Sequence, residues 1–225
     1  LDRYAEPLDS IPIHWSQAID KYPERMMRAR GIVPWQVFLT YQRLVQAFIS
    51  KNSAAIIRHS ADLGHYLADA HVPLHSTKNY NGQLTQQIGI HGLWESRLPE
   101  MYATKYNLLV GKAFYVEDPL ALAWQAVQES NSLVDSVLSI DKKVANSLAK
   151  ASHKSYLSRN NKLELTYSDA YAKAYHQALN GMVERRMRQS ILRLSCLWYS
   201  AWLEAGQPDL TEESTAAIGR PDAHL

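Results

Sequence analysis

Beyond Ser168 the chain holds one apolar stripe at helical spacing for about nine turns: Tyr171, Tyr175, Leu179, Met182, Met187, Ile191, Leu194, Trp198 and Ala201. A strand alternates with a period of two and cannot carry that pattern. A helix can, and one so long and one-sided needs other helices to cover its stripe. Ser168 is the expected cap of this segment, the longest in the chain. Upstream, the same period recurs between prolines. A short helix is expected from His14 to Lys21, and Pro23 opens another that ends near Gly31. Pro34 opens a third, carrying Val37, Leu39, Leu44, Val45, Phe48 and Ile49. Ser53 is expected to cap a helix running to about His71, where Pro73 disfavours further helix. Residues 76–88 read as a polar loop, Ile90 to Leu98 as a helix stopped by Pro99, and Asp118-Pro119 as the cap of a helix reaching Leu138. Residues 141–157 read as moderately helical and 160–165 as a connection. Gly 9 and Pro 9 in 225 residues are too few for a turn-dense all-β chain. The expectation is an all-α fold: one domain over residues 1–205, with a polar tail from 206 to 225.

Charge and cysteine content narrow the function. A net charge of +2 excludes the strongly basic footprint of a dedicated duplex-DNA binder, but not an enzyme acting on a phosphate ester. No apolar run approaches the roughly 18 to 20 residues that span a bilayer. Cys196 is the only cysteine, so neither a disulfide framework nor a thiolate zinc site is available. Histidine is the unusual residue: of nine, His59, His65, His71, His75 and His91 fall between positions 59 and 91.

Within that stretch His65 and Asp69 stand at i,i+4 spacing, so their side chains leave one helix face a turn apart. His91 and Glu95 repeat the spacing on the next helix. His75 follows the Pro73 break, where the chain can return toward the first pair. One such pair alone is usually a helix-surface contact. Two pairs with a histidine between them make a nest of imidazoles and carboxylates suited to zinc, with iron or manganese compatible with the same ligand types. Asp62 lies near Asp69 on the helix and is a candidate to orient His65, or else a solvated salt-bridge partner. His71 points away and is expected to pack or cap. The polar loop STKNYNGQLTQQI makes Tyr80 and Asn81 the candidates for meeting substrate.

The run H-Y-L-x-D-x-x-x-P-L-H (His65, Tyr66, Leu67, Asp69, Pro73, Leu74, His75), followed by a loop and G-I-H-x-x-W-E (Gly89, Ile90, His91, Trp94, Glu95), resembles the zinc-dependent phospholipase C and S1/P1 nuclease superfamily. The resemblance covers about a sixth of the chain and implies a helical enzyme with a trinuclear zinc site. It implies that His65 and Asp69 bind one zinc, with Asp69 bridging toward another, and that His75, His91 and Glu95 hold a third. It also implies secretion or a periplasmic location. Members begin with a tryptophan that binds zinc and carry further ligands upstream. Here Leu1 stands first, and Asp2, Glu6, Asp9 and His14 fit no such pattern. A native N-terminal segment is therefore expected to be missing, and fewer than three zincs are expected on these residues.

The implied chemistry is hydrolysis of a phosphodiester by metal-bound water, with no side chain named as general base. Glu95 in place of aspartate, Trp94 before it and the lack of disulfides point toward phospholipid as substrate. Single-stranded nucleic acid is the alternative. A helical zinc-binding protein without catalysis is the other reading.

Overall fold

The computed structural model describes residues 8–159 and 161–211, with backbone only at 9, 159 and 162. Among the described residues ten α-helices follow in order: α1 (Trp15–Lys21), α2 (Glu24–Arg30), α3 (Val33–Ile49), α4 (Ser53–Ala70), α5 (Ile90–Gly92), α6 (Leu98–Tyr102), α7 (Pro119–Ser132), α8 (Val134–Ser147), α9 (Asp169–Ala178) and α10 (Met182–Glu204). A π-helical turn, Leu93–Arg97, joins α5 to α6, and a two-stranded hairpin, β1 (Lys154–Arg159) and β2 (Lys162–Tyr167), precedes α9. The architecture is predominantly α-helical, as the periodicity requires.

The core has three contiguous parts. Helix α3 packs on α4 and α7, while α10 packs on both α3 and α4. Tyr41, Leu44, Leu63, Leu67, Cys196 and Leu197 fill that junction. Toward α1 and α2, Trp15, Trp35 and Trp124 pack edge to face, with both Trp35 and Trp124 donating through Nε1 to the Ile13 carbonyl. On the other side α8 and α9 enclose Leu74, Ile90, Leu93, Leu98, Tyr171 and Tyr175. The segment bearing His75, His91 and Glu95 is anchored in this third part. Leu39 and Ile49, expected inside, are 41% and 53% exposed.

Several boundaries differ from the sequence expectation. Asn52, not Ser53, caps α4, its side chain accepting from the Ala55 amide at 3.0 Å. Pro99 does not stop the helix that starts at Ile90. Lacking an N–H, it cannot donate back to Glu95, and the helix widens instead: the Leu98 amide reaches the Leu93 carbonyl, five residues back. The helix expected from Pro119 to Leu138 breaks at Leu133, so that α7 serves the α3–α4 core and α8 the α9 core. The long stripe is likewise two helices, because Asn180 and Gly181 take left-handed φ values of 47° and 74°. Residues 154–167 form an antiparallel hairpin where helix and connection were expected. Asn161, at φ 60°, turns the chain, and Tyr156 faces Leu165 across the pair.

Among the described residues no helix is long and apolar enough to cross a membrane. Asp2, Glu6 and most of the expected polar tail lie outside the described residues.

Candidate metal centre

Three elements converge on one point. Helix α4 ends at His71, whose amide caps back to Ala68 and Asp69, and Pro73 then turns the chain into a short 3-10 segment, Pro73–Ser76. That turn carries His75. The loop 77–89 follows and delivers Ile90 and Leu93 into the core, which leaves His91 and Glu95 on the outer side of the same helix. His75 Nε2 stands 3.0 Å from Glu95 Oε2, and His91 Nε2 stands 2.6 Å from the same oxygen. The two imidazole rings are 4.9 Å apart. One ligand atom from each of the three residues lies within 4.8 Å of the other two. Their side chains are 30%, 26% and 35% exposed, so the group is partly covered and opens on one side to solvent.

This arrangement fits a small cation with nitrogen and oxygen ligands. Metal–ligand bonds of about 2.0–2.1 Å in a tetrahedron place donor atoms roughly 3.3 Å apart. The two imidazole nitrogens, 3.0 and 2.6 Å from Glu95 Oε2, are each within about 0.7 Å of that separation from the carboxylate. His91 Nδ1 lies 3.2 Å from the Tyr80 carbonyl, so a hydrogen bond donated there would free Nε2 to bind an ion in place of the proton it shares with Glu95. The hydrogen bonds from His75 and His91 hold the Glu95 carboxyl well below the usual carboxylate range, against the opposing effect of burial. Burial disfavours charge on His75, yet the hydrogen bond and charge of Glu95, with the field of Asp69, keep its imidazole above its ordinary pKa.

The loop is shaped by its own polar groups. Asn81 Oδ1 accepts from the Gly89 amide at 3.0 Å, and Asn79 Oδ1 accepts from Leu84 at 2.7 Å. Gly82 has φ +73°, and a Cβ there would sit 2.3 Å from the Gln87 carbonyl oxygen. Gln87 is buried and donates through Nε2 to Asp141 Oδ2 (2.7 Å) and the Leu138 carbonyl (2.8 Å), pinning the end of the loop to α8. Tyr171 donates its hydroxyl to the other Asp141 oxygen. Asn81 is thus a loop-closing residue. Tyr80 serves the site through its carbonyl, while its ring, 45% exposed, stands edge-on 6.2 Å from His91.

The base of the His75 turn is clamped by buried Arg186. It donates to the His71 carbonyl (3.0 Å), the Ala126 carbonyl, Ser130 Oγ, Gln189 and Glu129. Arg193 completes the network by pairing with Glu129 at 2.7 Å and meeting His71 Nε2 at 3.1 Å. Burial pushes the His71 imidazole down to about 3. His71 therefore packs and caps, as its position on the helix wheel suggested. Gln87, Asp141, Glu129 and Arg186 were not singled out in the sequence. They are single polar residues far apart in the chain, and only the tertiary fold brings them to the site's underside.

The first His–carboxylate pair has a different fate. His65 Nε2 lies 3.6 Å from Asp69 Oδ2, and the His65 side chain is 70% exposed. Among the described residues no third histidine, cysteine or carboxylate joins this pair as a metal-ligand group. Asp62 lies 3.9 Å from both Arg58 and His59, so its carboxylate is engaged with them and is not the orienting partner of His65. His14 occupies the N-cap of α1, away from the cluster.

Beside the three-ligand group lies a cavity of about 390 Å³ between α4, the π-helical turn and α10. Ala68, Val72, Trp94, Met187, Ile191 and Leu194 line it, and Asp69 and Glu95 stand at its edge. Met187, Ile191 and Leu194 belong to the long stripe read as core; they are half-buried and wall this cavity, with Met187 and Leu194 also packed against the core. Comparison of the chain with family models, curated proteins and solved structures gave no match.

Proposed function

We propose that this chain is a zinc-dependent phosphodiesterase of phospholipase C type, with His75, His91 and Glu95 as the protein ligands of one metal ion. The observation that carries the reading is the convergence of His75 Nε2 and His91 Nε2 on a single oxygen of Glu95, with solvent on the open side. A zinc ion bound there would polarise a phosphoryl oxygen and lower the pKa of water at its open position. The residues supply the rest. The Tyr80 carbonyl orients His91, Pro73 returns His75 toward the helix, and the π-helical turn presents Glu95 without losing the core contacts of Leu93 and Leu98. Asp69, close enough to influence His75, borders the same space and with His65 is the candidate for a second ion.

The apolar cavity beside Glu95 favours a lipid over a nucleic acid. Recognition of single strands relies on a basic groove with aromatic faces for stacking. Arg186, His71 and Trp94 also line this cavity, but Ala68, Val72, Val183, Met187, Ile191 and Leu194 make most of its wall aliphatic, which suits an aliphatic ligand.

The test is zinc stoichiometry by elemental analysis, together with hydrolysis of phosphatidylcholine and single-stranded DNA before and after chelation. Lipid turnover that stops with chelator and returns with Zn²⁺ is the expected result. Turnover indifferent to the chelator, or zinc binding unaffected by loss of His91, would overturn the proposal.

A further inference from the structure

The cavity between α4 and α10 has its polar groups turned toward the protein rather than toward its interior. Arg186 lies in its wall and is 3% exposed, yet all five of its N–H groups have protein acceptors. Nε meets the His71 carbonyl, one terminal nitrogen meets Glu129 and Gln189, and the other meets the Ala126 carbonyl and Ser130. His71 is closed in the same way, with Nδ1 donating to the Leu67 carbonyl and Nε2 facing Arg193. Trp94 Nε1 has no partner among the described residues, but it is itself buried and offers nothing at the cavity surface. Away from Asp69 and Glu95, the Ser190 hydroxyl is what remains for a polar ligand to meet. The cavity thus carries carboxylates at one edge and is aliphatic along most of the rest. Its α10 wall runs from Val183 to Leu194, about 16 Å at 1.5 Å per residue. Gly64 lets α4 close on that wall, since a Cβ there would sit 3.2 Å from Leu194 Cδ2.

We infer that this cavity is the subsite for one hydrocarbon chain of the substrate, lying along α10 with the phosphate end at Glu95. Two observations choose that occupant. Glu95 belongs both to the three-ligand group and to the cavity edge, so the chain subsite and the metal centre adjoin. The wall's hydrogen-bonding groups are already satisfied, so a sugar, base or headgroup would find little there to replace its hydration. A hydrocarbon has no such hydration to lose and gains by leaving water. Ala68 lines the cavity and is exposed on α4, which gives the chain a way in from solvent. The placing of the phosphate end rests on the zinc reading of the centre; the chain subsite itself needs no ion.

Titration calorimetry of the full chain with hexanol, octanol and decanol, run with zinc and again with chelator, tests it. Affinity should rise at least ~10-fold from hexanol to decanol in both conditions, since each methylene leaving water contributes up to roughly 4-fold. A slope that persists in chelator upholds the chain subsite even where the hydrolysis test fails, so the two readings fall separately. Ala68→Trp, at an exposed helical position, should block the entry and flatten the slope while keeping the parent's circular dichroism. Ile191→Asn sets an amide into the wall and should weaken decanol by roughly 5-fold or more. On the zinc-loaded protein, decyl phosphocholine should compete with decanol, its tail in the same cavity. Equal affinity along the alcohol series, a slope unchanged in both variants, or decyl phosphocholine binding without competition would overturn the inference. So would displacement of decanol from the chelated protein by a nucleoside monophosphate, which would make the cavity a base site.

Discussion

The chain contains two histidine–carboxylate pairs with identical i,i+4 spacing, and the fold treats them differently. On α4, His65 and Asp69 remain 3.6 Å apart with His65 largely in water. On the next helical segment, His91 and Glu95 close to 2.6 Å, gain His75 from across a proline turn, and have one imidazole fixed by the Tyr80 carbonyl. The spacing is a property of any helix. What separates a surface pair from a group that could hold an ion is a third side chain brought in by a chain reversal and a neighbour that fixes orientation. A loop and a turn do that work, and no periodicity records it.

The largest expected effect breaks the stronger pair. His91→Ala should weaken zinc binding at the three-residue group by ~100-fold or more, whereas His65→Ala should change it by less than about threefold. Titration against a competing chelator measures both. An equal loss from the two variants would show that the pairs act as one site and erase the distinction.

The next prediction attacks the loop. Gly82→Ala sets a Cβ into the Gln87 carbonyl at a backbone conformation that L-residues rarely adopt. A loss of about 2 kcal/mol is expected, seen as a melting temperature lower by roughly 4–8 °C. Zinc affinity should fall with it, since Tyr80 and Gly89 belong to the distorted loop. A smaller version of the same test is Asn81→Ala, which removes the bond to the Gly89 amide. Its expected costs are about 1 kcal/mol in stability and up to ~10-fold in zinc affinity. Unchanged zinc binding in both variants would mean that the three ligands hold their positions without the loop.

The smallest effect concerns the clamp beneath His75. Burial would raise the Glu129 pKa, but Arg193 and Arg186 outweigh it and bring the carboxyl from 4.5 to about 2. The unfolded chain therefore takes up this proton first, and stability declines as pH falls from 4.5 toward 2. Urea denaturation of the metal-free protein across that range should show the decline, and Glu129→Gln should flatten it. A variant as acid-sensitive as the parent would place the acid lability elsewhere.

Much of the helical architecture was legible because burial imposes its period on the sequence. Asp118 and Ser168 act as the caps their positions suggest, accepting from Ala121 and Tyr171. Residue type and spacing marked the nest of His65, Asp69, His75, His91 and Glu95, and the family resemblance set His75, His91 and Glu95 apart within it. The hairpin was not legible, since its exposed Tyr156, Leu163 and Leu165 answer to no core and so leave no contrast between inner and outer faces. The break at Asn180-Gly181 was hidden because the stripe runs through it, both flanking helices contributing to the interior. Arg186 was illegible for another reason: a buried arginine looks like a surface one until its partners at His71, Ala126, Ser130 and Glu129 are assembled around it.

Cys196, the sole cysteine, is buried and free, so no covalent bridge restrains this chain. The three candidate ligands nevertheless bracket a loop whose ends, His75 and Glu95, are 20 residues apart in sequence. An ion held by both ends would act on the unfolded chain as a cross-link does, removing the conformations in which the ends drift apart. For a loop of this length that restriction amounts to about 3 kcal/mol in the chain-entropy description of disulfides. That restriction applies only while the ion stays bound to both ends, and it is lost reversibly when the ion leaves.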